Sequence, residues 1–377
     1  MVEDVEIDGT VVVGLGGIGA AAALALADRG ETVVGLDPRP AGHSEGSSHG
    51  HTRLVRLAYF EDPAYVPMTV RAWRLWQELE RRSGEHLLTA SGVLALAPAG
   101  DPARLVPATV QAADRYGLQV DRLDAAAIRQ RYPVVAVPDD WEGVLERQAG
   151  FVDPEATVRT LHRLAREAGA DLRAEAVVAI EDGEQPVVVT DGTRYHPRRV
   201  VLAAGPWAPQ LLGGRLPLTV TRKVVAHFSP LDPHDLGPDR LPGFVAGAGG
   251  ALHYGFPLLP GDGVKIARHD GGAPTTPATV DRTVRPEEVD ALRTALGRLI
   301  PTAAGDLLTA YTCLYTMSPD GDFLLGPLPW APSCIVATGC SGHAFKFVPL
   351  LGEVLADLAL GSRPAVDIDF LSPARFA

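Results

Sequence analysis

Apolar and polar positions follow two rhythms along the chain. Thr10–Val13 is a β-branched run, and Gly14-Leu-Gly-Gly-Ile-Gly19 follows it at once. Ala20 to Ala27 predicts a close-packed helix ending at Asp28-Arg29-Gly30, and Thr32–Leu36 predicts a second short strand leading to Asp37. Between Tyr65 and Arg82, Val66, Val70, Trp73, Trp76 and Leu79 recur at helical spacing, so the tryptophans read as core. Asp153-Pro154-Glu155 is a helix start, with Asp as cap and Pro in the first turn. Val158, Leu161, Leu164 and Ala168 give its buried stripe, and Gly169 ends it. Pro286-Glu-Glu starts another helix with Val289, Leu292, Leu296 and Leu299 on one face. Arg199–Ala204 and Ser333–Thr338 predict short strands, and the second leads into a helix running to about Leu360. Leu216 to Ala267, rich in Pro and Gly, reads as strands and turns.

The first of these units is a β-α-β motif of the length that binds dinucleotides. Gly14 permits a tight turn, Gly16 lets a pyrophosphate approach the backbone, and Gly19 lets the helix pack on the sheet. Gly17 and Ile18 open the helix whose free N–H groups face the phosphates. Asp37 is placed to accept hydrogen bonds from a ribose diol. The motif alone does not separate FAD from NAD. Related elements recur near residues 200 and 335, with a β-rich section between them. One nucleotide-binding domain, assembled from separated segments, is therefore expected to carry an inserted second domain.

Composition narrows the classes. A chain of 377 residues with 46% apolar content can bury a large core, which excludes a disordered or disulfide-stapled protein. A formal net charge of −12 argues against a nucleic-acid partner. The longest apolar run, Val11 to Ala27, is short for a membrane span and is broken by glycines. Cys313, Cys334 and Cys340 form neither a disulfide framework nor a zinc spacing, and the acidic start lacks a secretory signal's basic region. A cytoplasmic protein is expected.

Several charged groups stand out. Arg53 and Arg56, three apart, would share a face on a helix, and arginine suits carboxylate binding. Lys265, Ala267 and His269 would share one face of a strand. His343 and Lys346 form a third cationic pair after the Gly339–Gly342 turn. His43, His49 and His51 lie close together without a carboxylate cluster, so no metal site is read. Cys313, taken alone, reads as a small core residue.

Together these stretches resemble monomeric sarcosine oxidase and its relatives, which include N-methyltryptophan oxidase and the cyclic imino acid oxidases. The resemblance covers nearly the whole chain. It rests on Gly14–Asp37, Gly46–Glu61, Cys313–Asp320 and Ser341-Gly-His-Ala-Phe-Lys-Phe347, with support from Ala203–Leu212. It implies an α/β fold, an FAD-binding Rossmann-like domain of the glutathione-reductase type with an inserted mixed-sheet catalytic domain. Residues 1–85, 150–215 and 320–377 would form the first, and residues 86–149 and 216–319 the second.

The resemblance also implies roles. FAD would be joined covalently to Cys313, and His49 would assist the attachment. Arg53 would lie beside the flavin ring. Thr52, Val177, Gly205, Trp207, Met317, Gly342, His343, Ala344 and Lys346 would complete the cofactor set. Arg56 and Lys346 would hold the substrate carboxylate with Tyr315 nearby, Lys265 would activate oxygen, and Tyr254 and His269 would shape amine binding. The implied activity is oxidation of a secondary α-amino acid, with O2 reduced to hydrogen peroxide, by a monomer. Alternatives are a cyclic imino acid oxidase and a dehydrogenase holding FAD non-covalently. Wider apart stand an NAD-dependent dehydrogenase and a flavin-binding protein without catalysis. Ser48, His51, Ala344 and Gly321-Asp322 depart from the sarcosine-oxidase pattern and leave the substrate side chain open.

Overall fold

The opening strand, Glu3–Val13, changes character along its length. Its first residues are largely exposed, and its last five are buried. That buried end lies in the middle of a parallel array. Val12 stands beside Val201 of Thr193–Leu202 and beside Gly35 of Val33–Leu36. Ala331–Thr338 continues the array beyond Thr193–Leu202, and Asp171–Arg173 continues it beyond Val33–Leu36. Such strands are covered on both faces, which is why they read as unbroken apolar runs. Antiparallel strands Val177–Glu181, Val187–Thr190 and Leu324–Leu328 complete the eight-stranded sheet. The computed structural model describes residues 3–376 other than 103, 182, 184 and 249.

The alanine-rich helix is Gly17–Ala27, with nine of its residues buried. Its small side chains let helix Val348–Ala359 come close: a Cβ on Gly352 would lie 2.6 Å from the Ala21 carbonyl oxygen. Trp73 and Trp76 are buried on helix Val66–Ser83. The strand expected at Arg199–Ala204 is longer, Thr193–Leu202, and stops two residues sooner. It ends there because Gly205, at φ +51°, turns the chain into a short 3-10 turn, Gly205–Trp207.

A second, nine-stranded mixed sheet holds Val93–Pro98, Val120–Asp124, Trp141–Glu146 and the strands between Thr219 and Met317. Helix Pro286–Leu299 packs Val289, Leu292, Leu296 and Leu299 into its core with Phe228, Phe244 and Ile266. A small three-stranded sheet pairs Arg53–Val55 and Leu88–Thr89 with Gly150–Val152. Arg53 is thus in a strand and Arg56 just beyond it, so the helical pairing expected for them does not occur. The strand expected to carry Lys265 and His269 on one face runs from Gly263 to Arg268, which leaves His269 beyond its end.

Candidate active site

The turn after the first strand opens a cleft of about 350 Å³. Gly14 has φ +86°, and a Cβ there would lie 2.7 Å from the Ala204 Cα, so only glycine fits. Gly19 packs helix against turn, since its Cβ would overlap the Gly14 carbonyl. The helix N-terminus at Gly16–Gly17 has Ser48 as its neighbour, whose hydroxyl accepts the Gly17 N–H at 3.2 Å. Asp37 lines the cleft and accepts from the Leu15 and Arg39 amides at 2.9 and 3.0 Å. Ile18, Arg53, Val177, Gly205, Trp207, Tyr315, Gly342 and Ala344 also face it. This long, glycine-floored cleft with an acid at its rim fits a dinucleotide such as FAD. His49 adds a buried Nε2 without a hydrogen-bond partner, beside the Tyr311 ring. Burial and then the Arg53 charge push the His49 imidazolium down to about 3.

A second cavity of about 70 Å³ adjoins the cleft. Arg53, Tyr315, Gly342 and Phe345 line both. Gly342 lies flat on the Tyr315 ring, where a Cβ would come within 2.1 Å of a ring carbon. Arg56, Tyr254, His269, His343 and Lys346 line the second cavity. Arg56 donates to both carboxylate oxygens of Glu61 at 2.6 Å and stacks on Phe60, 4.1 Å from its ring centre. Burial would raise the Glu61 pKa, but the Arg56 guanidinium wins and holds it at about 2. Lys346 donates to the His343 carbonyl at 2.6 Å and to the Tyr59 hydroxyl at 3.3 Å. Burial, with Arg56 adding its charge, lowers Lys346 to about 7.

His343 is not the cation expected of it. Burial pushes it down to about 3, so the ring is neutral at ordinary pH. Its Nδ1 lies 2.5 Å from the Tyr59 hydroxyl and its Nε2 3.0 Å from the Gly321 carbonyl. The carbonyl can only accept, so Nε2 carries the proton and Nδ1 accepts from Tyr59. Burial likewise lowers His269 to about 4, leaving a neutral imidazole 5.6 Å from the Tyr315 ring, centre to centre.

Lys265 lies outside both cavities. It is 2% exposed and donates to the Thr52 carbonyl and hydroxyl at 3.1 and 2.9 Å. Among the described residues no carboxylate is paired with it. Burial and then Arg53 push its ammonium well below the usual lysine range. Cys313, Tyr315 and Met317 follow at two-residue intervals along Leu307–Met317. The Cys313 sulfur is 3.9 Å from the Arg53 guanidinium. Met317 bridges to Cys340 and, like Thr52, Cys313 and His49, is not part of the cleft wall.

Four residues that arrange this site had no role in it from the sequence, and Trp76 among them read only as core. Glu146 accepts the Leu57 and Ala58 amides at 2.8 and 2.7 Å, which fixes the turn between Arg56 and Tyr59. Trp76 donates from Nε1 to the Lys346 carbonyl at 2.7 Å. His162 meets the Leu15 carbonyl at 2.8 Å and steadies the glycine turn. Lys223 donates to the His269 carbonyl at 2.7 Å and lies 4.9 Å from the Tyr315 ring centre. The one available signal was a charged residue inside an apolar strand pattern, as in Val224 and Val225 beside Lys223 and Leu145 beside Glu146.

This electrostatic arrangement predicts a pH dependence. Carboxylate binding should weaken as pH rises from 6 to 8, read as the dissociation constant of acetate by calorimetry. Lys346 loses its proton near 7, and Glu146, raised by burial to about 7, gains negative charge over the same range. Both changes disfavour an anion. A flat profile would rule out Lys346 as a carboxylate ligand.

The comparisons agree with the geometry. The family of FAD dependent oxidoreductases matches residues 10–358. The chain is 40% identical to a monomeric sarcosine oxidase of Streptomyces avermitilis, with 97% of each chain covered. It is 37% identical to an N-methyl-L-tryptophan oxidase of Salmonella agona, covering 97% of this chain and 98% of that one. Among solved structures it resembles the open form of NikD, an unusual amino acid oxidase essential for nikkomycin biosynthesis. That match has a TM-score of 0.87 and 29% identity, with 98% of each chain covered. The fold is also that of glycine oxidase from Geobacillus kaustophilus, at TM-score 0.82, with 98% of this chain and 99% of that one covered and 22% identity. The cleft, the glycine turn and these relatives lead to one conclusion: the chain belongs to the family of FAD-dependent oxidoreductases.

Proposed function

We propose that the protein oxidises a secondary α-amino acid, sarcosine or another N-methyl amino acid, at the carbon next to nitrogen and reduces O2 to hydrogen peroxide. The observation that carries this is the position of Arg56 and Lys346, two buried cations in a cavity that shares walls with the dinucleotide cleft. Bound FAD supplies the acceptor for the hydride equivalent and the reductant for oxygen. The chain supplies position and charge. Arg56 exchanges Glu61 for the substrate carboxylate, and Lys346 gives the second contact. His269 and Tyr254, neutral and beside Tyr315, accept or donate hydrogen bonds at the amine and hold it uncharged. Lys265, whose pKa burial and Arg53 lower, is stabilised in its protonated form where negative charge develops on oxygen.

We further propose that Cys313 binds FAD covalently through its sulfur, with His49 assisting. Acid denaturation of the purified protein tests this. Colour should stay with the wild-type chain, intact mass should place the adduct at Cys313, and Cys313→Ala should release the flavin. Free flavin from the wild-type chain would refute the linkage and favour non-covalent FAD. The domain division follows the same reading, with residues 1–85, 150–215 and 320–377 holding the cofactor and residues 86–149 and 216–319 shaping the substrate site. None of the three cysteines forms a disulfide, which suits a reducing compartment, and we place the enzyme in the cytoplasm as a monomer. No helix among the described residues is long and apolar enough to cross a membrane.

A further inference from the structure

The cavity beside the cleft has two unlike halves. Arg56, Glu61, His343 and Lys346 make the polar half. Leu54, Val245 and Leu252 give the lining a hydrocarbon wall, together with Phe60, on whose ring the Arg56 guanidinium stacks at 4.1 Å. The strands explain why these apolar groups meet. Val245 stands opposite Tyr254 in the antiparallel register, so both side chains leave the sheet on one face. Leu252, two residues before Tyr254, shares that face. Leu54, Phe60, Leu252 and Tyr254 all pack on the buried cluster that contains Val245, Val93 and Val144. Leu54, Phe60 and Leu252 are nonetheless only half-buried, and all three line the cavity.

A ligand held by its carboxylate on Arg56 and Lys346 can cover this wall with hydrocarbon carried on its α-carbon. Sarcosine has hydrogen there and would leave the wall against water. We infer that the preferred substrate is a secondary α-amino acid with several carbons of apolar side chain or ring on the α-carbon, seated on Leu54, Phe60, Val245 and Leu252. This rests on the reading of Arg56 and Lys346 as the carboxylate seat.

The holoenzyme tests it in two ways. The first is kcat/KM for sarcosine, N-methyl-L-leucine and L-pipecolate by oxygen uptake. N-methyl-L-leucine or L-pipecolate should exceed sarcosine by about tenfold or more, since even one methylene in an apolar pocket is worth about 10- to 200-fold. The better of the two tells open side chain from ring. The second reading is binding alone: 4-methylpentanoate should bind about tenfold or more tighter than acetate by calorimetry. Leu252→Thr should shrink that ratio, and Val245→Ala is the second variant if Leu252→Thr does not fold. Turnover of sarcosine with no gain from added hydrocarbon would overturn the inference and leave the seat standing. So would a ratio of carboxylate affinities unchanged in the variant. If neither acetate nor 4-methylpentanoate binds, the seat itself fails and the inference falls with it.

Discussion

Replacing Lys265 with methionine should slow oxygen uptake by about 10²–10³-fold, the usual loss for one preorganised charge-stabilising group. The ammonium is buried, bonded only to the Thr52 carbonyl and hydroxyl, and unpaired with any carboxylate among the described residues. Burial and Arg53 lower its pKa, and a developing negative charge on oxygen favours its protonated form. Negative charge forming on oxygen nearby would meet it at close to full strength, because little water screens it. Methionine keeps the length and packing against Phe256, whose ring centre is 5.0 Å from Nζ, and removes only the charge and donors. Stopped-flow spectroscopy separates the two halves of the cycle. Anaerobic reduction by substrate should slow far less than reoxidation by O2. Equal slowing of both halves would make Lys265 structural.

Arg56→Leu should lower kcat/KM by about 10²-fold or more, and it should also destabilise the fold. The first effect follows from losing one partner of a buried, hydrogen-bonded ion contact, which costs about 2–5 kcal/mol. The second follows from Glu61, which would keep its buried carboxylate and lose the guanidinium 2.6 Å away. Breaking a buried pair costs about 3–5 kcal/mol. The lower end applies because the Glu61 side chain is 19% exposed. In the wild type the Glu61 pKa is lowered to about 2, so its contribution is complete above the ordinary carboxylate value and lost as pH falls through about 2. Without Arg56, burial dominates and raises that pKa, so the variant loses stability as pH rises past the ordinary carboxylate range. Arg56→Leu with Glu61→Gln should recover Tm without recovering kcat/KM. Recovery of both would show that Arg56 acts on the fold alone.

Much of the frame was legible because it depends on local spacing. The Gly14–Gly19 turn, the helix cap at Asp153 and the apolar stripe of Val289, Leu292, Leu296 and Leu299 each follow from residues within a few turns of one another. The site was legible mainly through resemblance, since its parts come from distant segments. Arg56 and Lys346 line one cavity although 290 residues apart, and Trp76, on a separate helix, holds the Lys346 carbonyl. The protonation state of His343 could not be read at all. It depends on burial against Tyr59, Phe323 and Gly321, which no spacing in the chain announces. The same holds for Glu146 and Lys223, which look like ordinary surface charges until their strands are placed inside a sheet. The helical pairing of Arg53 and Arg56 failed for a related reason. Three-residue spacing carries no information once Arg53–Val55 is drawn into pairing with Gly150–Val152.

The parallel register of Val11, Val200 and Cys334 has a consequence for biosynthesis. These neighbours leave the ribosome far apart in time, and one wall of the dinucleotide cleft, Ala337 to Val348, emerges more than 300 residues after the glycine turn. A complete cleft for the cofactor therefore waits for that wall to be made. A nascent chain arrested before Ala331 would hold the glycine turn and still lack a place for the nucleotide. In a cell short of riboflavin, apoprotein with an open cleft should accumulate, and added FAD should then convert it to a protease-resistant form.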